Sequence, residues 1–550
     1  MTEGKGLVDE YFEKPKWTRT WSRIPVKSVY RASDLMDADY EQDVNDPGEY
    51  PFTRGIFSEM YRGRLWTRRE VSGHSSPAAS NRRLKYLMEQ GVTGLNIIGD
   101  LPTQLIIDSD HPFAVNEVGV QGTPLATLDD MMILTQGIPM DEVSFTFSAF
   151  TPVMAFYIAA AKKRGISPGK LRGTIINDTI HYRYCFGYKF PLDLGVRLGV
   201  DSIGYSINHM PLWYPFSVEC YDLREHGIDA VQELAFGFAI AFCLIDECVK
   251  KGYQVDDIAS KIAFTMGVHI DIFEEAAKFR AARRFWAKTL KEKYGATSSK
   301  ALHFKFHSNT SGCQTVRQQP LNNIIRIAYS ALAAVMGGTQ SMQTVSFDEP
   351  IALPTEESAR IAVRTQQILA YETGVTRVAD PLGGSYYVEN LTNEIENRTS
   401  DLLAKIDDMG GILKAIETQW IDNQLAEAAY NYQKEVESGD RIIVGRNAFI
   451  ISEKEERKTK VHKKDNRSIK SHMTKLQKVR EKRDKKKLRN AIDKLYEKSK
   501  SGEENLIPGM VEAALAHATI GEIMGTIRLA YGYSYDPFGM IESPFEGMEP

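Results

Sequence analysis

Small hydroxyl side chains recur at alternate positions of several β-prone runs: Ser144 and Thr146, Thr174, Ser217, then Thr339 and Ser341. Alternation puts each set on one face of a strand. A row of hydroxyls there can hydrogen-bond a long polar ligand inside the fold, or the backbone of a neighbouring element outside it; both readings stay open on the residues alone. Other chemistry is sparse. The 11 histidines are scattered, and His303 and His307 do not form a ligand pair, so no metal site is expected. Gly337–Gly338 and Gly383–Gly384 fall short of a dinucleotide fingerprint and read as tight turns. The sequence contains no Walker-type phosphate loop, GxSxG elbow or HExxH site.

Something must position those hydroxyls. Between about residues 90 and 380, β-prone runs alternate with long amphipathic patterns. Strands are predicted at Leu95–Gly99, Val143–Ser148, Gly173–Ile176, Ser217–Tyr221, Ile262–Val268, His303–His307, Thr339–Thr344 and Arg377–Val378. Helices are predicted at Thr151–Arg164, Asp229–Lys250, Asp271–Lys293 and Pro320–Met336. Strand, crossover helix, strand is the grammar of a parallel sheet, and eight such units match a closed (β/α)8 barrel. Barrel interiors are normally filled by Val, Ile and Leu. Inward-facing Ser and Thr would leave a more polar axis.

Residues 1–75 read as an N-terminal extension, 76–410 as the barrel, and 411–550 as a helical C-terminal region. The formal charge of −4 over 550 residues hides a basic segment, 453–500, with 20 Lys and Arg against 8 Asp and Glu. Its only aromatic residue is Tyr496, and acids are interspersed, so a solvated helix or an acidic partner surface fits better than nucleic acid. Asn505–Tyr531 shows helical apolar spacing. No window approaches a membrane span, and the first residues lack the apolar core of a secretory signal. Five cysteines without CxxC spacing fit a reducing cytoplasm.

Longer motifs say more. Phe306–Gly312 (FHSNTSG), Arg317–Gln366 (RQQPLNN through AVRTQ) and Val378–Thr392 (VADPLGGSYYVENLT) closely resemble the methylmalonyl-CoA mutase large-subunit family. So do PFTRG at 51–55, GDLPTQLIIDSDHP at 99–112 and FRAARRFWA at 279–287, in order along the chain. The resemblance implies an isomerase: a barrel with coenzyme A threaded along its axis, and adenosylcobalamin supplying a radical that drives a carbon-skeleton rearrangement. The family's D-x-H-x-x-G cobalt ligand is absent from this sequence. A separate small cobalamin-binding subunit is therefore expected, in a heteromer such as a dimer of heterodimers, with the charged segment and apolar tail serving assembly.

Residue by residue, the resemblance places the coenzyme A site on Met60, Arg64, Thr67, Arg69, Ser144, Thr146, Thr174, Arg280, Gln340 and Ser341, with Asn309 replacing a glutamine. Arg64 is the expected phosphate ligand. Glu349 matches a carboxylate contacting the deoxyadenosyl ribose, and Val345 stands where the family has asparagine. The acyl pocket departs from the family. A tyrosine falls on Val71, the carboxylate-pairing arginine on Phe186, a glutamine on Ile176, and the thioester-binding histidine on Asp222, beside a retained Tyr221. An aromatic position falls on Gly99, next to Ile98. Without the arginine, a buried malonyl carboxylate would go unpaired at a cost of several kcal/mol. An apolar, branched or hydroxylated acyl group is expected instead; methylmalonyl-CoA mutase proper and a non-catalytic acyl-CoA-binding paralogue are the alternatives. Asp222 either donates as a protonated acid whose pKa burial has raised, or as a carboxylate accepts from a substrate hydroxyl or pairs with a cationic group, or turns away to Arg183 or Arg224.

Overall fold

The computed structural model describes residues 18–35, 39–187, 190–452, 455, 460 and 465–548; the Phe186 side chain lies outside the described part, as do ten residues of the basic segment. Ten short strands run β1 (Thr67–Arg69), β2 (Val71–Ser72), β3 (Gly94–Ile98), β4 (Ser144–Ser148), β5 (Gly173–Ile175), β6 (Trp213–Tyr214), β7 (Phe216–Glu219), β8 (Ile262–Val268), β9 (Phe306–Thr310) and β10 (Ser341–Gln343). All pairings are parallel, in two five-stranded runs: β1-β10-β9-β8-β7 and β2-β3-β4-β5-β6.

The two runs form one ring. Only Glu70 separates β1 from β2, and only Pro215, which has no N–H for a ladder, separates β6 from β7. Backbone bonds cross both joints: Thr93 N–H donates to Arg68 O at 3.0 Å, and Ser217 N–H to Ile176 O at 3.0 Å. The fold is a closed eight-stranded parallel barrel, as the alternating pattern predicts. One strand position differs. Thr67–Ser72 closes the ring from within the segment read as an N-terminal extension, and Arg377–Val378 is not a strand. Strand β9 also sits later than His303–His307.

Crossover helices carry their own start signals. Asp229 and Gln232 form a reciprocal capping box on Ala230–Lys250, Asp271 caps Ile272–Glu292, and Ser76 caps Pro77–Glu89. At Gly410 and Gly411, φ values of 96° and 87° end Tyr386–Asp408 and turn the chain into Ile412–Glu417.

Two separate apolar cores lie outside the ring. One joins Val218, Phe264, Phe306 and Met342 to the helices Ala230–Lys250 and Ile272–Glu292 and to Tyr386–Asp408. The other joins Leu95, Ile97, Phe145, Phe147 and Ile175 to Thr151–Lys163 and to the C-terminal helices Lys485–Ser501, Leu506–Leu515 and Ile520–Ala530. The region 411–550 therefore divides: Ile412–Glu417 and Trp420–Ser438 belong to the first core, the later helices to the second. The apolar tail, expected to serve assembly, is used inside the chain: Leu506, Val511, Ile520 and Ile523 are at most 1% exposed. Part of the basic segment is likewise internal, with Arg480 on Asp108 at 2.6 Å and Arg483 on Glu522 at 2.6 Å.

Candidate functional site

Alternation decides which side chains face the axis. The apolar positions of each strand point into the two outer cores, so their neighbours in sequence point inward. The inward set is polar and small: Asn96, Ser144, Thr146, Thr174, Ser217, Thr265, His307, Asn309, Ser341 and Gln343. The hydroxyls at 144, 146, 174, 217 and 341 thus take the inward reading. Thr339 does not; it is fully buried, accepting from Ser308 Oγ at 2.9 Å.

Arg69 ties the lower part of the axis together. Its guanidinium donates to Ser144 Oγ at 2.7 Å, Leu95 O at 2.8 Å and Ser341 Oγ at 2.9 Å. Ser341 Oγ also lies 2.9 Å from His307 Nδ1. Burial, then the Arg69 charge, lowers His307 to about 3, so it is neutral. Thr174 spends its hydroxyl on Tyr214 O at 2.8 Å. Above this layer the buried atoms Asn96 Oδ1, Thr146 Oγ1, Asn309 Oδ1 and His307 Nε2 have no hydrogen-bond partner in the protein. Buried polar atoms are normally satisfied. These unpartnered atoms lie on the inward faces of neighbouring strands, where they can accept or donate to a hydrogen-bonding ligand.

The strand-start rim is cationic. Lys261 and Lys305 immediately precede β8 and β9, and Arg64 is exposed just ahead of β1. Burial, with repulsion from Lys300, lowers both lysines to about 8. Sequence reasoning missed these two lysines, although each stands one residue before a strand start. Three expected contacts behave differently. Arg280 is fully buried in the outer layer, paired with Asp380 and Glu389, and does not face the axis. Gln340 spends both ends on backbone, accepting from Phe306 N–H at 2.9 Å and donating to Gly338 O at 2.8 Å. Met60 packs in the apolar core. Thr67 begins β1, with its N–H on Gln340 O at 3.0 Å.

The strand-end rim gathers the remaining candidates, where barrel folds place their chemistry. Val71, Ile98 and Ile176 are half-buried there. Gly99 is closed: a Cβ would lie 2.8 Å from Thr103 Cγ2, and Thr103 is held by Asp100 and by Leu125 N–H. Around Gly312 three groups converge; its Cβ would lie 3.2 Å from Glu225 Oε2, 3.5 Å from Glu349 and 3.5 Å from the Tyr221 hydroxyl. Val345 is buried, its N–H donating to Thr310 Oγ1 at 2.9 Å.

Asp222 lies on the short helix Cys220–Glu225 that follows β7, its side chain 34% exposed. It does not turn to the arginines. Arg183 pairs with Asp422 at 2.8 Å, and Arg224 with Glu275 at 3.1 Å. Instead His181 Nε2 lies 3.4 Å from Asp222 Oδ2, and the Cys185 thiol donates to the same oxygen at 3.0 Å. Burial favours neutrality, yet the hydrogen bond and charge of His181 hold the Asp222 carboxyl below its ordinary range. Burial likewise pulls His181 down, but Cys185, Asp178 and Asp222 hold it well above its ordinary value. The direction of both shifts, with the 3.4 Å approach, favours an Asp222–His181 ion pair over the protonated-acid reading. Nothing in the spacing of His181 or Cys185 announces this; they lie in the loop and helix after β5.

These features meet known proteins across the whole chain. The sequence profile of the family described as Methylmalonyl-CoA mutase matches residues 19–533. The 2-hydroxyisobutanoyl-CoA mutase large subunit of Aquincola tertiaricarbonis is 38% identical over 525 residues, covering 94% of this chain and 93% of that protein. The methylmalonyl-CoA mutase of Rhizobium meliloti is 38% identical over 514 residues, covering 92% of this chain and 72% of that protein. The human mitochondrial enzyme is 36% identical over 514 residues, covering 92% and 68%. The chain belongs to the methylmalonyl-CoA mutase family.

Proposed function

We propose that this chain is the substrate-binding, catalytic subunit of an adenosylcobalamin-dependent acyl-CoA mutase, an isomerase whose acyl group carries no carboxylate. The unpartnered polar atoms on the inward strand faces carry this reading, because a pantetheine arm offers amides and hydroxyls at intervals along such a lining. Exposed Arg64 at the strand-start rim suits the phosphates of coenzyme A, with Lys261 and Lys305 adding positive charge nearby while their ammoniums donate to Met210 O, Pro211 O and Lys300 O, and the acyl group then reaches the strand-end rim.

At that rim the chain's residues select by charge. Ile176 and Val71 offer no donor, Arg183 and Arg224 are paired, and Asp222 is anionic. A malonyl carboxylate would be unpaired and repelled, a loss of roughly 3–5 kcal/mol. A branched acyl group, plain or hydroxylated, meets no such penalty. Tyr221, Glu225 and Glu349 suit the ribose of a deoxyadenosyl group: they converge, and Glu225 Oε1 is a buried acceptor without a partner. Adenosylcobalamin, when bound, would supply the radical chemistry of the rearrangement, with Tyr221, Glu225 and Glu349 holding its ribose and the barrel wall keeping water and oxidants out. A small cobalamin-binding subunit is the proposed partner, supported by the match to a relative named as a large subunit.

The test combines the chain with a cognate small subunit and adenosylcobalamin, then adds an uncharged branched acyl-CoA. Substrate-dependent cob(II)alamin absorbance and its electron paramagnetic resonance signal are expected. Coenzyme A binding without that signal would assign the chain to acyl-CoA binding alone.

A further inference from the structure

The acyl pocket holds more machinery than an anion needs. Asp178 is fully buried and fixed by three backbone donors: Ile180 N–H at 3.1 Å and His181 N–H at 3.3 Å on Oδ1, and Glu219 N–H at 3.0 Å on Oδ2. Its Oδ2 lies 3.5 Å from His181 Nδ1, and His181 is 2% exposed. The imidazole therefore stands between two carboxylates at ion-pair distance, Asp178 Oδ2 on the Nδ1 side and Asp222 Oδ2 on the Nε2 side, while Nδ1 has no hydrogen-bond partner of its own. Cys185 occupies the same Oδ2. Among the described residues, no donor reaches Asp222 Oδ1, although the side chain is one-third open to the rim. A second carboxyl beside it, Glu219, is pushed well above its ordinary range by burial and by the Asp222 charge, and is neutral. Asp222 thus offers one acceptor oxygen at the strand-end rim, where the half-buried apolar residues Val71, Ile98 and Ile176 also stand at the ends of their strands.

We propose that Asp178 and His181 hold Asp222 as a preset acceptor, and that its Oδ1 takes the hydroxyl of a hydroxylated acyl group, with His181 as a positioning residue. This rests on the uncharged acyl-CoA mutase reading above. A hydroxyl whose O–H finds no acceptor in an apolar pocket costs binding energy, whereas donating it to a prealigned carboxylate returns that energy as a charge-assisted bond. The arrangement therefore discriminates between acyl groups of one carbon skeleton that differ by a single hydroxyl. The same oxygen left without a donor penalises the deoxy analogue.

The experiment uses the holoenzyme with a 2-hydroxylated branched acyl-CoA and its deoxy analogue, and compares wild type, His181→Phe and His181→Gln. Wild type is expected to favour the hydroxylated compound in kcat/KM by at least about tenfold, the worth of one hydrogen bond to a charged group. His181→Phe removes the donor and keeps a ring. It is expected to raise KM for the hydroxylated compound about tenfold with little change in kcat, and to leave the deoxy compound within about threefold. His181→Gln, which keeps an N–H donor, is expected to restore most of the discrimination. Equal losses on both compounds in His181→Phe would reduce His181 to a packing residue and overturn the proposal. A wild type that turns over both compounds without preference overturns the hydroxyl assignment and leaves the mutase reading standing; turnover of neither overturns that reading too.

Discussion

Lys261 and Lys305 tie the proposed phosphate end of the barrel to a pH-dependent charge. Each titrates near 8 because burial and neighbouring Lys300 disfavour its charge. Both are charged below that pH and neutral above it, so a phosphate ligand should bind progressively less well as pH rises. The dissociation constant of coenzyme A, measured by calorimetry, should weaken about tenfold between pH 7 and 9. Lys261→Met with Lys305→Met should start weaker and lose that slope; an unchanged slope would remove the lysines from the site. Gly99 makes a steric prediction. Gly99→Phe drives a ring into Thr103 and should lower stability by about 1–3 kcal/mol, read as a fall in urea midpoint. Much of this scale was legible beforehand. Hydroxyls at alternate positions marked the lining, and the resemblance marked Asp222. That Asp222 could pair with a cation was legible, but that the cation is His181 was not, because the two meet through a loop geometry that no periodicity encodes.

Elements explain where the resemblance misplaced a residue. Arg280 lies on the helix Ile272–Glu292, whose inner face packs on the first apolar core, and its guanidinium is consumed by Asp380 and Glu389. Arg280→Met should leave coenzyme A affinity within about twofold while costing about 3–5 kcal/mol of stability, since two buried carboxylates lose their partner. Ligand calorimetry and denaturation of the same variant separate the two effects. The C-terminal helices predict the converse of a free assembly arm. Ile492 is fully buried in the second core, so Ile492→Ala should cost about 2–5 kcal/mol in chemical denaturation. A silent change would return these helices to an assembly role. The helices themselves were readable from caps and apolar spacing. The strand at Thr67–Ser72 was not, because it is short, basic and interrupted at Glu70, and only closure of the ring reveals it.

At the scale of the molecule, the barrel is organised along one direction. Cations stand at the strand starts, unsatisfied polar atoms along the axis, and an apolar pocket with one ion-paired carboxylate at the strand ends. Because the interior is polar, the apolar core is split in two outside the ring, and the C-terminal helices complete one half. Exposed lysines of Asn466–Lys482 and Lys485–Ser501 remain available to an acidic partner surface. The central claim is that this axis delivers an acyl group without a carboxylate. The most direct measurement is kcat/KM of the reconstituted holoenzyme for methylmalonyl-CoA and for uncharged branched acyl-CoA thioesters, side by side. At least one uncharged substrate should exceed methylmalonyl-CoA by about a hundredfold or more, the kinetic equivalent of the unpaired carboxylate. Faster turnover of methylmalonyl-CoA than of every uncharged substrate would contradict the account.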